Sequence, residues 1–243
     1  MQRIKLIIEY DGTNYLGWQS QKNKQSVQDA IEYALGILFK RPIRLTAAGR
    51  TDTGVHARNQ VAHLDIPPYD LYRLKNSLNG LLNKDIVIKD IQNCAKEFHA
   101  RFDALSRRYR YYISQAPVAI NRNFVWPLYF PLNVSLMQTG AHLIEKTRDF
   151  KAFCKPKSDV QNYLCRIHTS KWFYRDNFLV FEIAANRFLH GMVRAIVGSL
   201  VSLGRGKISL QDFKDIISSG DRTKIPYTAP AQGLILEEVI YSN

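Results

Sequence analysis

One short segment carries residue types that can do chemistry, Gly49-Arg50-Thr51-Asp52-Thr53-Gly54-Val55-His56. Its carboxylate, Asp52, lies between an arginine and two hydroxyl side chains, and the flanking glycines permit unusual backbone angles. Such a loop can hold a catalytic carboxylate at a cleft, although an aspartate framed by glycines more often caps a turn. The residue types alone leave both interpretations of Asp52 open.

Two further clusters combine cations with aromatic or apolar residues. In the first, Arg101 and the run Arg107–Tyr112 interleave arginines, which contact phosphates, with tyrosines, whose faces stack on unpaired bases for about 1–3 kcal/mol each. Strand alternation would send Tyr109 and Tyr111 to the face opposite Arg108, where they can equally pack into a core. The second cluster is the mostly apolar segment Phe188–Arg194.

A lone cation, Arg194, enters this otherwise apolar helical segment. A buried arginine almost always needs an acidic partner, so Arg194 is a candidate to pair with a carboxylate. The alternative is a helix end from which the long side chain reaches solvent. The pattern does not decide between the two.

Several other catalytic signatures are absent from the sequence. Gly204-Arg205-Gly206-Lys207 resembles part of a phosphate loop, but Val201 replaces the first glycine and Ile208 the hydroxyl that binds magnesium. The six histidines form no H-E-x-x-H motif or Cys/His array, and no G-x-S-x-G elbow occurs. The candidate catalyst is therefore a carboxylate, a tyrosine or a thiol, and no metal site is predicted.

The elements around these segments have the same order in both halves of the chain. The first half predicts a strand at Ile4–Tyr10, a helix after Ser26, an extended pair over Ile43–Ile66, a helix after Asp70 and a strand at Ile86–Ile91. The second half predicts a strand at Arg108–Ile113, a helix after Ser135, a hairpin over Lys171–Ala184, a helix over Met192–Leu203, a helix after Ser209 and a strand at Leu234–Tyr241. Asn121–Pro131 is predicted to be an irregular loop. The pattern indicates two ferredoxin-like α+β domains, 1–105 and 106–243.

Composition limits the class of protein. Of 243 residues, 46% are hydrophobic and 23% charged, which excludes disorder and fibrous repeats. A net charge of +13 indicates a polyanionic partner, although a basic protein without an anionic ligand is an alternative. Three cysteines are too few for a disulfide framework, and neither a signal peptide nor a membrane span is recognisable. We therefore expect a cytoplasmic protein with reduced thiols and no membrane partner.

A series of motifs, in order along nearly the whole chain, resembles the bacterial tRNA pseudouridine synthase A family. These motifs are YLGWQSQ at Tyr15–Gln21, SVQDAIE from Ser26, AGRTDTGVHARNQVAH at Ala48–His63, FHARFDALSRRYRYY at Phe98–Tyr112, NRFLHGMVRAIVGSL from Asn186 and APAQGLILEEV at Ala229–Val239. Two departures are Asp103, where a serine is common, and Gly191, where a larger polar residue usually stands.

The resemblance implies an α+β fold in which two subdomains with antiparallel sheets join around a central basic cleft. It implies an isomerase that converts uridine to pseudouridine at positions 38, 39 and 40 of the tRNA anticodon stem-loop, without a cofactor. It also implies a homodimer in which one tRNA contacts both subunits.

By the matching motifs, Asp52 would be the catalytic nucleophile and Arg50 would help to displace the target base. Tyr109 would stack on the uracil, Arg194 would pair with the aspartate, and Leu234 would pack in the pocket.

The reaction must break the N1–C1′ bond, rotate the uracil and join C5 to C1′. A carboxylate can attack C1′, add to C6 or remove the C2′ proton, and these three routes stay open. One alternative function is a non-catalytic RNA-binding module with tandem RNA-recognition folds, which would have no use for Asp52 in its glycine-framed loop. Another is a glycosidase that hydrolyses nucleosides, but the motif contains no second carboxylate.

Overall fold

The computed structural model describes residues 1–20, 25–156 and 160–242. Gln21, the last residue of the YLGWQSQ motif, lies outside the described residues. The chain divides into two compact units, one formed by Met1–Leu105 together with the segment from Leu236 onward, the other by Ser106–Ile235. Each unit contains helices and an antiparallel sheet, so the α+β fold class is confirmed.

The first unit has the predicted β-α-β-β-α-β order. Its elements are β1 (Gln2–Tyr10), α1 (Val27–Phe39), β2 (Thr46–Ala47), β3 (His56–Ile66), α2 (Leu71–Leu81) and β4 (Ile86–Asn93). β1 lies between β4 and β3 and is antiparallel to both, and β2 pairs with the other edge of β3. The spatial order β4-β1-β3-β2 is that of a ferredoxin-like unit.

Alternation and capping explain these elements. Ile4, Leu6 and Ile8 alternate along β1 and are fully buried. Residues one turn apart in α1 and in α2 are fully buried as well. The core therefore lies between the sheet and the helices. The Ser26 hydroxyl accepts a hydrogen bond from the Asp29 amide at 3.1 Å, and the Asp70 carboxylate accepts one from the Arg73 amide at 3.0 Å. Both predicted N-caps are therefore confirmed.

The second unit repeats the order with one additional helix and one additional short strand. Its elements are β5 (Ser106–Ser114), β6 (Trp126–Pro127), α3 (Val134–Lys146), β7 (Ile167–Arg175), β8 (Phe178–Ala185), α4 (Met192–Gly204), α5 (Leu210–Ser219) and the first residues of β9 (Leu234–Ile240). The sheet order is β9-β5-β8-β7, again that of a ferredoxin-like unit. The predicted hairpin turns at Asp176 (φ 49°) and Asn177 (φ 66°), the left-handed pair that a two-residue hairpin requires.

One local prediction in this unit was wrong, and a second was incomplete. The cap of α3 is Asn133 and not Ser135, because the Asn133 side chain accepts a hydrogen bond from the Leu136 amide at 2.9 Å and so starts the helix earlier. The segment Asn121–Pro131 is also more regular than expected: it contains a short 3₁₀ turn, and β6 pairs in parallel with β5. Burial of Trp126 in this segment explains its order.

The C-terminal segment was predicted within the domain 106–243, but the compact second unit ends at Ile235. Three hydrogen bonds hold the last residues in the first unit: the Leu105 amide to the Ile240 carbonyl at 2.8 Å, the Tyr241 hydroxyl to the Ala100 carbonyl at 2.7 Å, and the Asn59 side-chain amide to a main-chain carbonyl of β9 at 2.7 Å. None of the described helices has the length and hydropathy needed to cross a membrane.

Candidate active site

Asp52 lies in the loop between β2 and β3 of the first unit and is half-buried. The Val55 amide donates to the Asp52 main-chain carbonyl at 3.1 Å, and Gly54 adopts a left-handed φ of 75°. The loop therefore contains a turn, which is one of the two interpretations of the glycine-framed Asp52. That turn uses the main chain of Asp52, so it does not by itself account for a carboxylate at this position.

The Tyr15–Trp18 segment holds this loop from the side. The Trp18 amide donates to the Thr51 carbonyl at 3.1 Å, and the Gly54 amide donates to the Tyr15 carbonyl at 3.3 Å. Gly17 has a φ of 88°, and a Cβ there would lie 2.4 Å from the Thr51 carbonyl oxygen. Only glycine allows this approach. Residues more than 30 positions apart in the sequence thus form one support for Asp52.

Side chains beneath the loop complete this support. The Tyr10 hydroxyl and the Thr51 hydroxyl are 2.8 Å apart and buried, and the Gln60 side-chain amide donates to the Gly49 carbonyl at 2.9 Å. The Gly12 amide donates to His56 Nδ1 at 3.0 Å. Sequence reasoning did not assign these positioning residues. Their only signal was their location in or beside the quoted motifs.

We expect Gly17→Ala to slow pseudouridine formation at least tenfold and to lower the melting temperature. Alanine at a left-handed φ costs about 1–3 kcal/mol, and its Cβ would push the Thr51–Asp52 backbone away. The matched control is Gly80→Ala in α2, where an added Cβ meets nothing within 4 Å and alanine favours the helix by about 1 kcal/mol. Stability by thermal melting and single-turnover assays check both variants. A fully active Gly17→Ala would contradict the proposed support.

Arg50 lies on the same loop as Asp52, two residues earlier, and is exposed. The structure therefore brings these two predicted site residues together in one unit. The other three predicted residues, Tyr109, Arg194 and Leu234, belong to the second unit.

Tyr109 is a central residue of β5, opposite Ile183 of β8, and its side chain is 8% exposed. Its ring meets Phe188 edge-on, with centroids 5.2 Å apart and an interplanar angle of 89°. Tyr109 and Tyr111 are buried while Arg110 is half-buried and paired with Glu182 at 2.7 Å, so the predicted alternation is confirmed.

Arg194 lies in the first turn of α4. Its Nε donates to the Ala229 carbonyl at 2.7 Å, and the Ala229 amide donates to the Arg194 carbonyl at 3.0 Å. The Tyr111 hydroxyl donates to the neighbouring Pro230 carbonyl at 2.8 Å, and burial raises the pKa of this hydroxyl well above its usual value. Arg194 and Tyr111 thus position the segment that leads into Leu234, which is 5% exposed at the start of β9.

Two of the three thiol candidates, Cys94 and Cys165, are poor nucleophiles. All three cysteines are free. Burial raises the pKa of Cys165 to about 11 and also raises the pKa of Cys94, so both stay protonated near neutral pH. Within the described part of the chain, no group of three or more His, Cys, Asp or Glu side chains could hold a metal ion.

Comparison with known proteins gives the family. A profile described as tRNA pseudouridine synthase matches residues 6–103 and 144–242. tRNA pseudouridine synthase A of Porphyromonas gingivalis is 42% identical over 100% of this chain and 98% of its own length. The chain belongs to the tRNA pseudouridine synthase A family. The resemblance found in the motifs is therefore confirmed.

Another member of the tRNA pseudouridine synthase A family, from Acetivibrio thermocellus, is 44% identical over 99% of this chain and 100% of its own. A solved Cbf5–Nop10–Gar1 complex contains a chain with 8% identity and a TM-score of 0.38, of which this chain covers 58%. That likeness is too distant to carry an argument. Membership makes this protein an isomerase of tRNA pseudouridine synthesis. The profile match includes Asp52, Arg194 and Leu234 but not Tyr109.

Proposed function

We propose that this synthase converts uridine to pseudouridine at positions 38, 39 and 40 of the tRNA anticodon stem-loop, with Asp52 as the nucleophile and no cofactor. The observation that carries the proposal is the built support of the Asp52 loop, which the Trp18 and Gly54 amides tie to the Tyr15–Trp18 segment. A catalytic carboxylate needs such preorganisation, whereas a turn that only connects two strands does not.

The proposed chemistry keeps every heavy atom of the nucleotide. The N1–C1′ bond breaks, the uracil rotates, C5 bonds to C1′, and the C5 proton is replaced by a proton on N1. Asp52 can assist by attacking C1′, adding to C6 or removing the C2′ proton, and each route needs the ionised carboxylate. The detached uracil is itself the returning nucleophile, so water must be excluded and a second carboxylate is not required.

We assign the remaining residues these roles. Arg50, exposed on the Asp52 loop, helps to displace the target base, and Tyr109 stacks on the uracil with its ring held edge-on by Phe188. Arg194 pairs with Asp52, and Leu234 packs in the uracil pocket.

We also propose a cytoplasmic homodimer in which one tRNA contacts both subunits along the predicted central basic cleft. The free thiols are consistent with a reducing compartment, and the charge of +13 suits a large polyanionic substrate.

The deciding experiment incubates the purified protein with an unmodified tRNA transcript and maps pseudouridine. We expect it at positions 38–40 and nowhere in a control transcript with cytidines there. Released free uracil would instead indicate a nucleoside-hydrolysing glycosidase, and binding without any base change would indicate an RNA-binding module. Pseudouridine confined to other positions would overturn the positional assignment.

Binding of tRNA should weaken steeply with salt, because phosphate contacts by the excess cations release counterions. The logarithm of the affinity should fall by about 0.7–0.9 per unit of log salt concentration for each phosphate neutralised. Filter binding between low and physiological salt measures it. A flat response would show that the net charge of +13 does not serve tRNA binding.

Arg50→Ala should slow single-turnover modification at least about tenfold while weakening tRNA binding only about twofold, because displacing the base is needed in the reaction and not in docking. The matched control is Arg73→Ala, an exposed arginine on α2, which tests loss of one positive charge. Equal losses of rate and affinity would reduce Arg50 to an ordinary phosphate contact.

A further inference from the structure

The turn from Phe98 to Asp103, in the FHARFD part of the motif, is unusually well fixed for a surface turn. The Asp103 carboxylate accepts from the His99 amide at 2.8 Å, and the Asp103 amide donates back to the His99 carbonyl at 3.0 Å. His99 Nδ1 accepts from the amides of Arg101 and Phe102 at 3.2 and 3.3 Å. Asp103, a departure from the usual serine, thus closes the turn.

Three other parts of the first unit anchor the same turn. The Ala100 amide donates to His63 Nδ1 at 3.1 Å, and the Ala100 carbonyl accepts from the Tyr241 hydroxyl at 2.7 Å. Arg3 Nη1 donates to the Phe98 carbonyl at 3.2 Å. The main chain of the turn is therefore held by β1, β3 and the C-terminal segment.

This rigid turn displays an aromatic ring to solvent. Phe102 is 75% exposed, although phenylalanine is a residue type that proteins usually bury. Its ring lies on the His99 ring, with centroids 4.3 Å apart and planes inclined by 30°. The centroid of the His63 ring lies 4.9 Å from that of the His99 ring. The Arg101 guanidinium carbon lies 5.6 Å from the Phe102 centroid. The arrangement is a supported aromatic ring with a cation beside it.

We propose that Phe102 and Arg101 form a stacking platform for an unpaired nucleobase of the tRNA, other than the uridine being modified. A ring held by a fixed turn loses little entropy when a base stacks on it, and such stacking tolerates any base because every base has a π-face. Arginine beside the ring adds a cation that can meet the adjoining phosphate. The proposal rests on the proposed function only in taking tRNA as its ligand.

The first test compares tRNA affinity across several salt concentrations for Phe102→Leu and the wild type. Loss of one stacked base should weaken binding about fivefold or more. The slope against log salt should stay unchanged, because leucine removes no charge. The matched control is Tyr72→Leu on α2, which is 73% exposed and should bind like the wild type. Thermal melting confirms that both variants are folded.

The second test places a reporter on the platform. Phe102→Trp keeps an aromatic face, and the three native tryptophans are at most 9% exposed. Unmodified tRNA should therefore quench the added fluorescence of Phe102→Trp at wild-type affinity, whereas Tyr72→Trp should show no added quenching.

Unchanged affinity of Phe102→Leu, or no quenching of Phe102→Trp, overturns the platform. In another outcome, Phe102→Leu forms smaller oligomers than the wild type while each subunit binds tRNA with unchanged affinity. That result would assign the Phe102 ring to a contact between copies of the chain and would also overturn the platform. These outcomes are distinct from failure of the proposed function, which is read from wild-type pseudouridine mapping alone.

Discussion

Asp52→Asn should abolish pseudouridine formation, a loss of at least about a thousandfold in single-turnover rate, while tRNA affinity stays within about twofold of the wild type. The amide has the shape of the carboxylate but cannot act as a nucleophile or base by any of the three routes. The loop should keep its conformation, because the Trp18–Thr51 and Tyr10–Thr51 contacts do not involve the Asp52 side chain.

The measurement is pseudouridine yield from unmodified tRNA at enzyme excess, with the mass of the variant verified, since asparagine can deamidate to aspartate. The matched control is Asp215→Asn, an exposed aspartate on α5, which should remain fully active. Appreciable turnover by verified Asp52→Asn would remove Asp52 from the role of nucleophile.

The second large effect concerns Tyr109, for which two substitutions separate the ring from the hydroxyl. Tyr109→Leu removes both, and we expect it to bind and react poorly, because the ring that stacks on the uracil is lost. Tyr109→Phe keeps the face, and its edge-on contact with Phe188 at 5.2 Å does not need the hydroxyl. The Tyr109 hydroxyl is also the nearest candidate base or relay for the C5 proton. We therefore expect this variant to bind tRNA normally but to lose the late step that removes the C5 proton.

Tritium release from tRNA carrying C5-tritiated uridine, under single-turnover conditions, measures that step. The control is Tyr174→Phe, an exposed tyrosine on β7, which should release tritium like the wild type. Near wild-type release by Tyr109→Phe would leave Tyr109 as a stacking platform only. A phenol ordinarily has a pKa near 10, so it is almost entirely protonated near neutral pH and accepts a proton poorly. Stacking needs no such acceptor, so the hydroxyl role is the less favourable of the two.

Local patterns in the sequence were enough for most elements of the fold. Alternation along β1 and β5 identified the buried faces correctly, because neighbouring side chains in a strand point to opposite sides. Ser26, Asp70 and Ser209 marked helix starts correctly, because a capping side chain bonds an amide three residues away. α3 failed by two residues because both Asn133 and Ser135 can cap, and only packing selects between them.

By itself, the sequence determined the family and the α+β class, and it supplied the proposals for the site residues, since all of these depend on residue types in a fixed local order. Only the tertiary structure decided that Gly17 must lack a Cβ beside Thr51, that the C-terminal strand returns to the first unit, and that His63 and Tyr241 hold the turn that carries Phe102. Those facts depend on contacts between residues far apart in the chain. No local periodicity records such contacts, because they form only when separate segments pack against one another.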